Sequence, residues 1–339
     1  MAKRASSSLK HVYENSIKGF TVNVPCAAAF KAFGGDSSIQ SIEPDSIIFA
    51  MPRPPGKGPG GGGDGGSGPA QTTPYGTTRV GGPVSGVGYT AWVLDSGIDV
   101  DHPDLNVDAS RGFSAFTKGK DAGVNDGNGH GSHVAGTIGA LDNEIGSVGV
   151  APGTTVIPVK VLGARGSGST SGVIAGVDHV GDNANPGDCA NMSLGGGFSS
   201  TLNAAVVGAS ERSGAFFVVA AGNESQDTNN VSPGSANGSN VFTISSMDIN
   251  DNWSSFSNFG NPPVDYVAPG SAVYSTWKDG GYRTISGTSM ASPHACAVIM
   301  LKNGNPNTDG TVNGDPDGCL LYTSPSPRDG ATSRMPSSA

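Results

Sequence analysis

The chain has 339 residues, only 14% of them charged, with 54 glycines and a formal net charge of −9. This acidic balance argues against nucleic acid or an anionic membrane surface as a partner, because both carry the same sign of charge. No apolar run reaches the roughly 18 residues of a membrane-spanning helix, so we expect no membrane partner. The length allows one large domain with an appendage.

The first 51 residues are separated from the rest of the chain by a segment that cannot form a core. Residues 52–69 read PRPPGKGPGGGGDGGSGP, which is typical of a flexible linker. The basic start MAKR is not followed by an apolar run, so this chain is expected to contain no signal peptide. The sequence therefore predicts a small module over 1–51 and a main domain over 70–318.

The main domain alternates apolar runs with helix-like stretches. Since the runs are apolar throughout, they predict strands that are covered on both faces, as in a parallel sheet. This alternation predicts an α/β fold, a three-layer domain with a central, mostly parallel sheet. The predicted strands are 89–95, 154–162, 189–194, 215–221, 240–246 and 264–268, and the predicted helices are 130–141, 169–182, 201–213 and the segment after Ser289.

Three polar residues stand at strand ends or helix starts, where function gathers in such sheets. Asp95 ends a predicted strand, Asn223 follows another, and His130 opens a helix rich in glycine and alanine. Considered singly, Asp95 is better explained as an N-cap or turn residue, and a turn residue also explains Asn223. His133 forms an i, i+3 pair with His130, but no third ligand stands at a suitable spacing, so we expect His133 to pack behind His130.

The stretch SGTSMASPH, residues 286–294, precedes an apolar run that predicts a buried helix. Proline is tolerated where no intrahelical N–H bond is due, so Pro293 predicts a helix that begins just before it. Ser289 would then lie at or beside the first turn, near free N–H groups. When this pattern is taken alone, an N-capping serine explains it better than a nucleophile does. With a carboxylate, an imidazole and an amide donor, however, it completes the set for acyl transfer through a serine nucleophile.

The four cysteines show no metal-binding spacing, and the spacing gives no reason to pair them. Cys189 and Cys296 lie in apolar segments and are expected to be buried thiols. The remaining two are Cys26 and Cys319.

The end of the chain resembles a laboratory sequence. CLLYTSPSPRD at 319–329 and SRMPSSA at 333–339 are similar to the in-frame translation of a sequencing adaptor and its primer. We therefore expect residues 319–339 not to be natural and to have no fixed structure. The domain over 70–318 would then be truncated at its C-terminal end.

Five blocks resemble, in chain order, the signature blocks of subtilisin-like serine proteases, the subtilase family: DSGID, HGSHVAGT, SLGGG, AAGNE and GTSMASPH. The resemblance covers about residues 70–305 and implies a serine endopeptidase, a hydrolase. It implies that Ser289 is the nucleophile, that His130 is the general base and then acid, and that Asp95 orients the imidazole. The side chain of Asn223 and the N–H of Ser289 would donate to the oxyanion.

The resemblance also implies that polypeptide substrates bind as an added strand between residues 166–168 and 193–196. Walls of glycine would leave space for a large apolar or aromatic side chain before the scissile bond, and Glu224 at the rim would allow some basic ones. The implied substrate-binding residues are Gly166, Ser167, Gly168, Ser193, Leu194, Gly195, Gly196, Ala220, Gly222 and Glu224.

Residues 1–51 resemble the later part of the family's inhibitory pro-segment, so a small α+β fragment is expected there. The resemblance implies that this pro-segment acts as an intramolecular inhibitor and is removed by a cut near Ala70. It further implies a zymogen that is secreted and acts as a monomer, without an organic cofactor.

The family resemblance extends to a calcium loop, matched here by LDNEIGS at 141–147. Hard cations require several oxygen ligands. The matching positions offer the carbonyls of Leu141, Ile145 and Ser147 with the side chains of Asn143, Asp104 and Gln71. An ordinary polar surface turn is the alternative explanation of this segment.

Two other functions remain open from the sequence. One is a pseudoprotease that binds peptides without cutting them, and the other is a gene fragment too incomplete to fold. All four chemical positions are filled, which favours the enzyme over the pseudoprotease.

Overall fold

The computed structural model describes residues 9–51, 69–317 and 321–322. The N-terminal part is a small α+β unit, which is the fold expected for residues 1–51. Strands β1 (Leu9–Tyr13) and β2 (Gly19–Val22) form an antiparallel hairpin, followed by helix α1 (Cys26–Phe33) and strand β3 (Ile47–Ala50). Ala29 and Phe33 of α1 pack on the hairpin and form a core separate from those of the main domain.

The main domain contains every strand and helix that the apolar pattern predicts. In chain order its elements are α2 (Tyr75–Arg79), β4 (Thr90–Asp95), β5 (Phe113–Ser114), α3 (His130–Gly139), β6 (Thr155–Lys160), β7 (Ser167–Ser169), α4 (Thr170–Asn183), β8 (Cys189–Met192), β9 (Leu194–Gly197), α5 (Ser200–Ser213), β10 (Phe216–Ala220), β11 (Val231–Ser232), β12 (Val241–Met247), β13 (Val264–Pro269), β14 (Val273–Trp277), β15 (Gly281–Ile285), α6 (Thr288–Leu301) and β16 (Leu321–Tyr322).

A parallel sheet lies at the centre of the domain. Its strand order is β16-β13-β12-β10-β8-β4-β6-β5, and every pairing in it is parallel. Successive residues of β4 alternate between two cores, with Ala91 and Val93 on the side of α3 and α6 and with Trp92 and Leu94 on the side of α4 and α5. The predicted three-layer α/β architecture is confirmed. Because the strands are parallel, their carboxyl ends meet at one edge, where Asp95 ends β4.

Helix α6 differs from the prediction in where it begins. It starts at Thr288, five residues before Pro293, so the proline lies inside the helix. Pro293 has no N–H to donate to the carbonyl of Ser289. The hydroxyl of Ser193 donates to that carbonyl instead, at 2.8 Å. A side chain from a neighbouring loop thus replaces the missing helical hydrogen bond, which a local reading of the helix could not anticipate.

The expectation of unpaired cysteines is wrong for the two buried ones. Cys189 on β8 and Cys296 on α6 form a disulfide, with their Cα atoms 6.0 Å apart. They are 107 residues apart in sequence, and only the packing of α6 on the sheet brings them together. Cys26 is an exposed free thiol, and Cys319 lies outside the described residues.

The end of the chain departs in one detail from the expected lack of structure. Leu321 and Tyr322 form β16 and pair in parallel with Tyr266 and Val267 of β13. The other residues of 319–339, and the linker over 52–68, lie outside the described part of the chain. Among the described residues, no helix combines the length and the apolar character needed to cross a bilayer.

Candidate active site

Asp95 and His130 form a buried pair at the carboxyl edge of the sheet. Asp95 is the last residue of β4 and His130 the first of α3, and neither is exposed. The Nδ1 atom of His130 lies 2.9 Å from each carboxylate oxygen of Asp95. A carboxylate acceptor requires the proton on Nδ1, which leaves the lone pair of Nε2 available as a base. Within the described chain, Nε2 has no hydrogen-bond partner.

Hydrogen bonds of Asp126 join the loop after Asp95 to the start of α3, and the sequence analysis did not identify this residue. Its Oδ1 accepts from the Ser96 hydroxyl at 2.8 Å and from Gly129 N at 2.9 Å. Its Oδ2 accepts from the N–H and the hydroxyl of Ser132, at 2.9 and 2.7 Å. Helix N-termini favour such an acceptor, because their first N–H groups have no helical partner. An aspartate four residues before His130 was the available signal.

Ser289 lies in the first turn of α6, directly after Gly287 and Thr288. Gly287 has φ 156°, a conformation that leaves little place for a side chain. Ser289 is fully buried, and α6 packs against α3, which carries His130. In this conformation the hydroxyl of Ser289 donates to the carbonyl of Ser193, at 3.1 Å.

The side chain of Asn223 is held in a single orientation. Its Oδ1 accepts from the N–H and the hydroxyl of Thr288, at 2.9 and 3.0 Å. The amide nitrogen must therefore point the other way, and there it donates to the carbonyl oxygen of Met51. This is the arrangement of a neutral donor aimed at a carbonyl beside a candidate nucleophile.

Strand β3 of the N-terminal unit lies between two strands of the main domain. It pairs antiparallel with β7 on one side and with β9 on the other, and Phe49 is opposite both Ser167 and Gly195. Ala50 N also donates to Gly166 O at 2.8 Å. The two segments expected to hold a substrate strand, 166–168 and 193–196, therefore hold residues 47–50.

Beside this strand lies an open cavity of about 710 Å³. Four of the residues expected at the site line it: Gly195, Gly196, Asn223 and Glu224. Ser193, Leu194 and Ala220 are buried and do not line it, and a Cβ atom on Gly222 would overlap the side chains of Asn258 and Glu224. Lining residues that the sequence did not single out are Gly197, Ser225, Gln226, Asn230, Val231, Ser255 and Phe256.

The carboxylate of Glu224 is already engaged. Its Oε2 accepts from Asn223 N at 3.0 Å and from the side-chain amide of Asn258 at 2.8 Å. Because these two hydrogen bonds already engage the carboxylate, Glu224 should attract a basic side chain in the cavity less strongly.

Two other buried histidines of this region are kept neutral. Burial lowers the pKa of His133 to about 3 and that of His294 to about 4. His133 Nε2 donates to the carbonyls of Val273 and Arg283 at 3.0 and 3.1 Å, so it fixes the β14–β15 hairpin onto α3. This contact agrees with the expectation that His133 packs behind His130.

The six residues expected to bind calcium form one hydrogen-bonded cluster. Asn143 Nδ2 donates to Asp104 Oδ1 at 2.9 Å, Gln71 Oε1 accepts from Asn143 N at 2.6 Å, and Asn143 Oδ1 accepts from Ile145 N at 2.8 Å. Ser147 N donates to Asp104 Oδ2, and Leu141 N donates to the carbonyl of Asp104.

This cluster has the oxygen atoms that a hard cation requires, but Asn143 presents its amide nitrogen to Asp104. A cation between them would require that amide to turn. In the part of the chain that the structure describes, no group of three His, Cys, Asp or Glu side chains has a metal-binding arrangement.

Comparison with known proteins is decisive for the family. The sequence profile of the subtilase family matches residues 87–314, which include Asp95, His130, Asn223 and Ser289. The chain belongs to the subtilase family. It is a hydrolase, a serine protease by family, and its relatives agree.

The chain is 40% identical to the subtilisin-like serine protease AsES of Sarocladium strictum, over 89% of this chain and 74% of that protein. It is 40% identical to alkaline serine exoprotease A of Vibrio alginolyticus, over 87% of this chain but 53% of the relative. A crystal structure of a cold-adapted subtilisin-like serine proteinase superposes with a TM-score of 0.64 at 40% identity, over 74% of this chain and 97% of that one.

Proposed function

We propose that this subtilase is a serine endopeptidase that uses Ser289, His130 and Asp95 as its triad. Ser289 attacks the carbonyl carbon, and His130 takes the hydroxyl proton and returns it to the leaving nitrogen. Asp95 keeps the proton on Nδ1, so that Nε2 stays the base. Asn223 donates to the oxygen that becomes an oxyanion. The observation that carries the proposal is the hydrogen bond from Asn223 to the carbonyl of Met51, at the end of a peptide strand.

We further propose that residues 9–51 inhibit the enzyme and assist its folding. Strand β3 fills the place of a substrate strand, and two carboxylates of the same segment cap two helices of the main domain. Asp45 accepts from Ser171 N on α4 at 2.8 Å, and Glu43 accepts from Thr201 N on α5 at 3.1 Å. Secretion, action as a monomer and a structural calcium in the 141–147 loop belong to the same proposal, on the family resemblance.

The pocket is proposed to accept large apolar residues before the cut. Met51, an apolar residue, lines it, and its Cε lies so close to Gly195 that a Cβ atom there would overlap it. Since Glu224 is bound by Asn223 and Asn258, basic residues should be accepted less well than apolar ones.

Hydrolysis of a peptide amide by the full chain tests the triad, after trace trypsin has opened the linker at Lys57. Wild type should hydrolyse it, and Ser289→Ala should show no activity above background. The substitution removes one oxygen at the start of a helix, so the unfolding transition should be preserved. Activity of the Ser289→Ala chain at the wild-type level would contradict the mechanism.

A further inference from the structure

The residue presented to Ser289 by this chain is Met51. Its carbonyl oxygen accepts from Asn223, and a Cβ atom on Gly287 would lie 2.5 Å from the same oxygen. The end of its side chain contacts Gly195 in the glycine-walled pocket. Met51 therefore holds the position before the scissile bond, and the next residue in the sequence, Pro52, supplies the leaving nitrogen.

The register of β3 fixes this assignment. Ile48 is opposite Gly168, and Ala50 is opposite Leu194. Ile48 points inward and is only 1% exposed, whereas Ile47 and Phe49 are exposed. A shift of the register by one residue would expose Ile48 to solvent and bury Ile47 and Phe49, so the strand has one favourable register.

Proline at this position is compatible with binding. The residue before a proline is restricted to extended conformations. Met51 follows a paired strand, where an extended backbone is what continued pairing requires. Pro52 thus favours the bound form of Met51.

The same proline impedes cleavage. For the acyl-enzyme to form, Ser289 Oγ bonds to the Met51 carbonyl carbon, and the bond from that carbon to the Pro52 nitrogen breaks. His130 must then deliver its proton to the leaving nitrogen. An ordinary peptide nitrogen carries a hydrogen, but in proline a ring methylene takes its place. The leaving nitrogen therefore carries a carbon where an ordinary one carries hydrogen, and the imidazole of His130 that must protonate it is fully enclosed.

The expected cut near Ala70 lies elsewhere in the structure. Ala70 forms a β-bridge with Ile145, and Gln71 N donates to Glu144 O at 3.1 Å. The cleft is already filled by residues 47–51 of the same chain. A cut near Ala70 is therefore not the bond that this molecule presents to its own serine.

We propose that Met51–Pro52 is a stalled bond, which a molecule of this enzyme cannot cleave in itself at a useful rate. This inference rests on the proposed serine-protease function. Residues 47–51 then act as an inhibitor that survives in the cleft. Maturation therefore begins with a cut at another bond, within 53–70, made by a second molecule of the protease. That cut is slow, because the segment contains none of the large apolar residues that the pocket is proposed to accept.

Mass spectrometry of the full-length chain during incubation, at two protein concentrations tenfold apart, tests this. In Pro52→Ala we expect a fragment that ends at Met51, formed with a rate constant independent of concentration. Wild type and the matched control Pro54→Ala should form that fragment at least about a hundredfold more slowly, since proton delivery by a general acid contributes 10²–10⁴-fold. Their first cut should fall within 53–70, with a rate constant that rises with concentration.

Two results would overturn the inference. One is a wild-type fragment ending at Met51 that forms within tenfold of the Pro52→Ala rate. The other is a Pro52→Ala chain left intact after Met51, although it hydrolyses an added peptide once trypsin has opened the linker at Lys57. Failure of all three chains to hydrolyse that peptide would contradict the proposed function itself, and this inference with it.

Discussion

Asn223 shows how a single side chain of this site is held ready by its neighbours. Thr288, next to Ser289 in sequence, donates both its N–H and its hydroxyl to the Asn223 oxygen. The nitrogen is thereby directed at the carbonyl of Met51 before any charge develops on it. Such a donor is effective because it requires no reorganisation during the reaction.

Replacing Asn223 by leucine should lower kcat much more than it changes KM. Leucine is close to asparagine in size but donates no hydrogen bond, so mainly the transition state loses a partner. The expected loss is about 2.7–4 kcal/mol of transition-state stabilisation, the range known for such a donor in a subtilisin, a relative of this chain. Steady-state kinetics of the trypsin-opened chain measure it. A kcat within twofold of wild type would remove Asn223 from the mechanism.

Valine at position 195 should narrow the pocket. A Cβ at Gly195 would contact Met51 Cε, whereas a Cβ at Gly197, on the same strand, would have no neighbour within 4 Å. Gly195→Val should lower kcat/KM for methionine or phenylalanine before the cut by about 10–200-fold, the scale of a misfit of one or a few methyl groups. Alanine substrates should be affected less.

Gly197→Val is the matched control for this change and should leave the preference unaltered. Cleavage of a peptide library by the two variants and wild type compares the three pockets. Equal profiles for Gly195→Val and wild type would show that Met51 does not mark the specificity pocket.

At this scale the sequence identified the candidate polar residues but not the contacts around them. Asp95 ends β4, His130 begins α3 and Asn223 follows β10 by three residues, and these positions made them visible without a structure. The part played by Asp126 depends on the loop of Ser96 passing close to the start of α3. The position of Met51 depends on the register of β3 between two distant strands, which no local pattern in the sequence records.

At the scale of elements, carboxylates join the N-terminal unit to the helices of the main domain. Glu43 accepts from the hydroxyls of Ser199 and Ser200 at the start of α5, at 2.6 and 2.5 Å. In the opposite direction, Asp178 of α4 accepts from the N–H groups of Asn15 and Ser16, at 2.8 and 2.6 Å. Hydrogen bonds of carboxylates on both sides thus hold the N-terminal unit on α4 and α5.

Glu43→Gln should loosen the N-terminal unit. A carboxylate at a helix N-terminus contributes up to about 1 kcal/mol, so the open fraction should rise roughly fivefold. In the inactive Ser289→Ala chain, the initial rate of trypsin cleavage after Lys31 of α1 reports that fraction. Glu14→Gln makes the same charge change elsewhere in the unit and should have little effect. An equal effect of both variants would show that net charge, not the cap, matters.

Acid should release the N-terminal unit. Burial raises the pKa of Glu43, but its hydrogen bonds with Ser199, Ser200 and Thr201 outweigh burial and hold the pKa below its usual value. The pKa values of Asp45 and Asp178 are also lowered, because their hydrogen bonds outweigh burial; the charge of Lys10 adds to this effect at Asp45. Groups with a lowered pKa stabilise docking above their free pKa of about 4, and this contribution is lost as the pH falls further.

The same trypsin assay cannot follow this change, because trypsin itself fails in acid. Hydrogen exchange of residues 9–51 in the Ser289→Ala chain is suitable, with rates corrected for the intrinsic effect of pH. Protection should fall between about pH 5 and pH 3. Protection that stays constant over this range would contradict the proposed role of the three carboxylates.

The arrangement of elements was predictable because apolar runs and helix starts are local signals. Two features were not. The disulfide joins β8 to α6 only after both have packed into the domain. Pro293 is accepted inside α6 only because Ser193, from another loop, satisfies the carbonyl that the proline leaves without a donor.

At the scale of the whole molecule, backbone hydrogen bonds join the 141–147 loop to residues 70–72 at the start of the main domain. Gln71 N donates to Glu144 O, and Thr72 N donates to Gly146 O at 2.9 Å. A cation bound there would tie these two segments together in the folded state alone, so it would stabilise folding by mass action.

Calcium should therefore raise the melting temperature of the full Ser289→Ala chain. At a calcium concentration of about 100 times Kd the gain is about 2.7 kcal/mol, which is a shift of several degrees. Asp104→Asn should abolish the calcium-dependent part. Differential scanning calorimetry in calcium and in chelator measures both. Equal melting temperatures in the two buffers would show that the loop is an ordinary polar turn.

The most direct test of the whole account is labelling by a fluorophosphonate, which reacts with an activated serine, read by peptide mass spectrometry. The full chain should be labelled at Ser289 after trypsin has opened the linker at Lys57 and the N-terminal unit has been released. It should be labelled far more slowly before. Ser289→Ala should take up no label, and His130→Ala should take it up only at background rate. Labelling of the opened, folded wild type at another serine, or its absence there while peptide hydrolysis continues, would contradict the account.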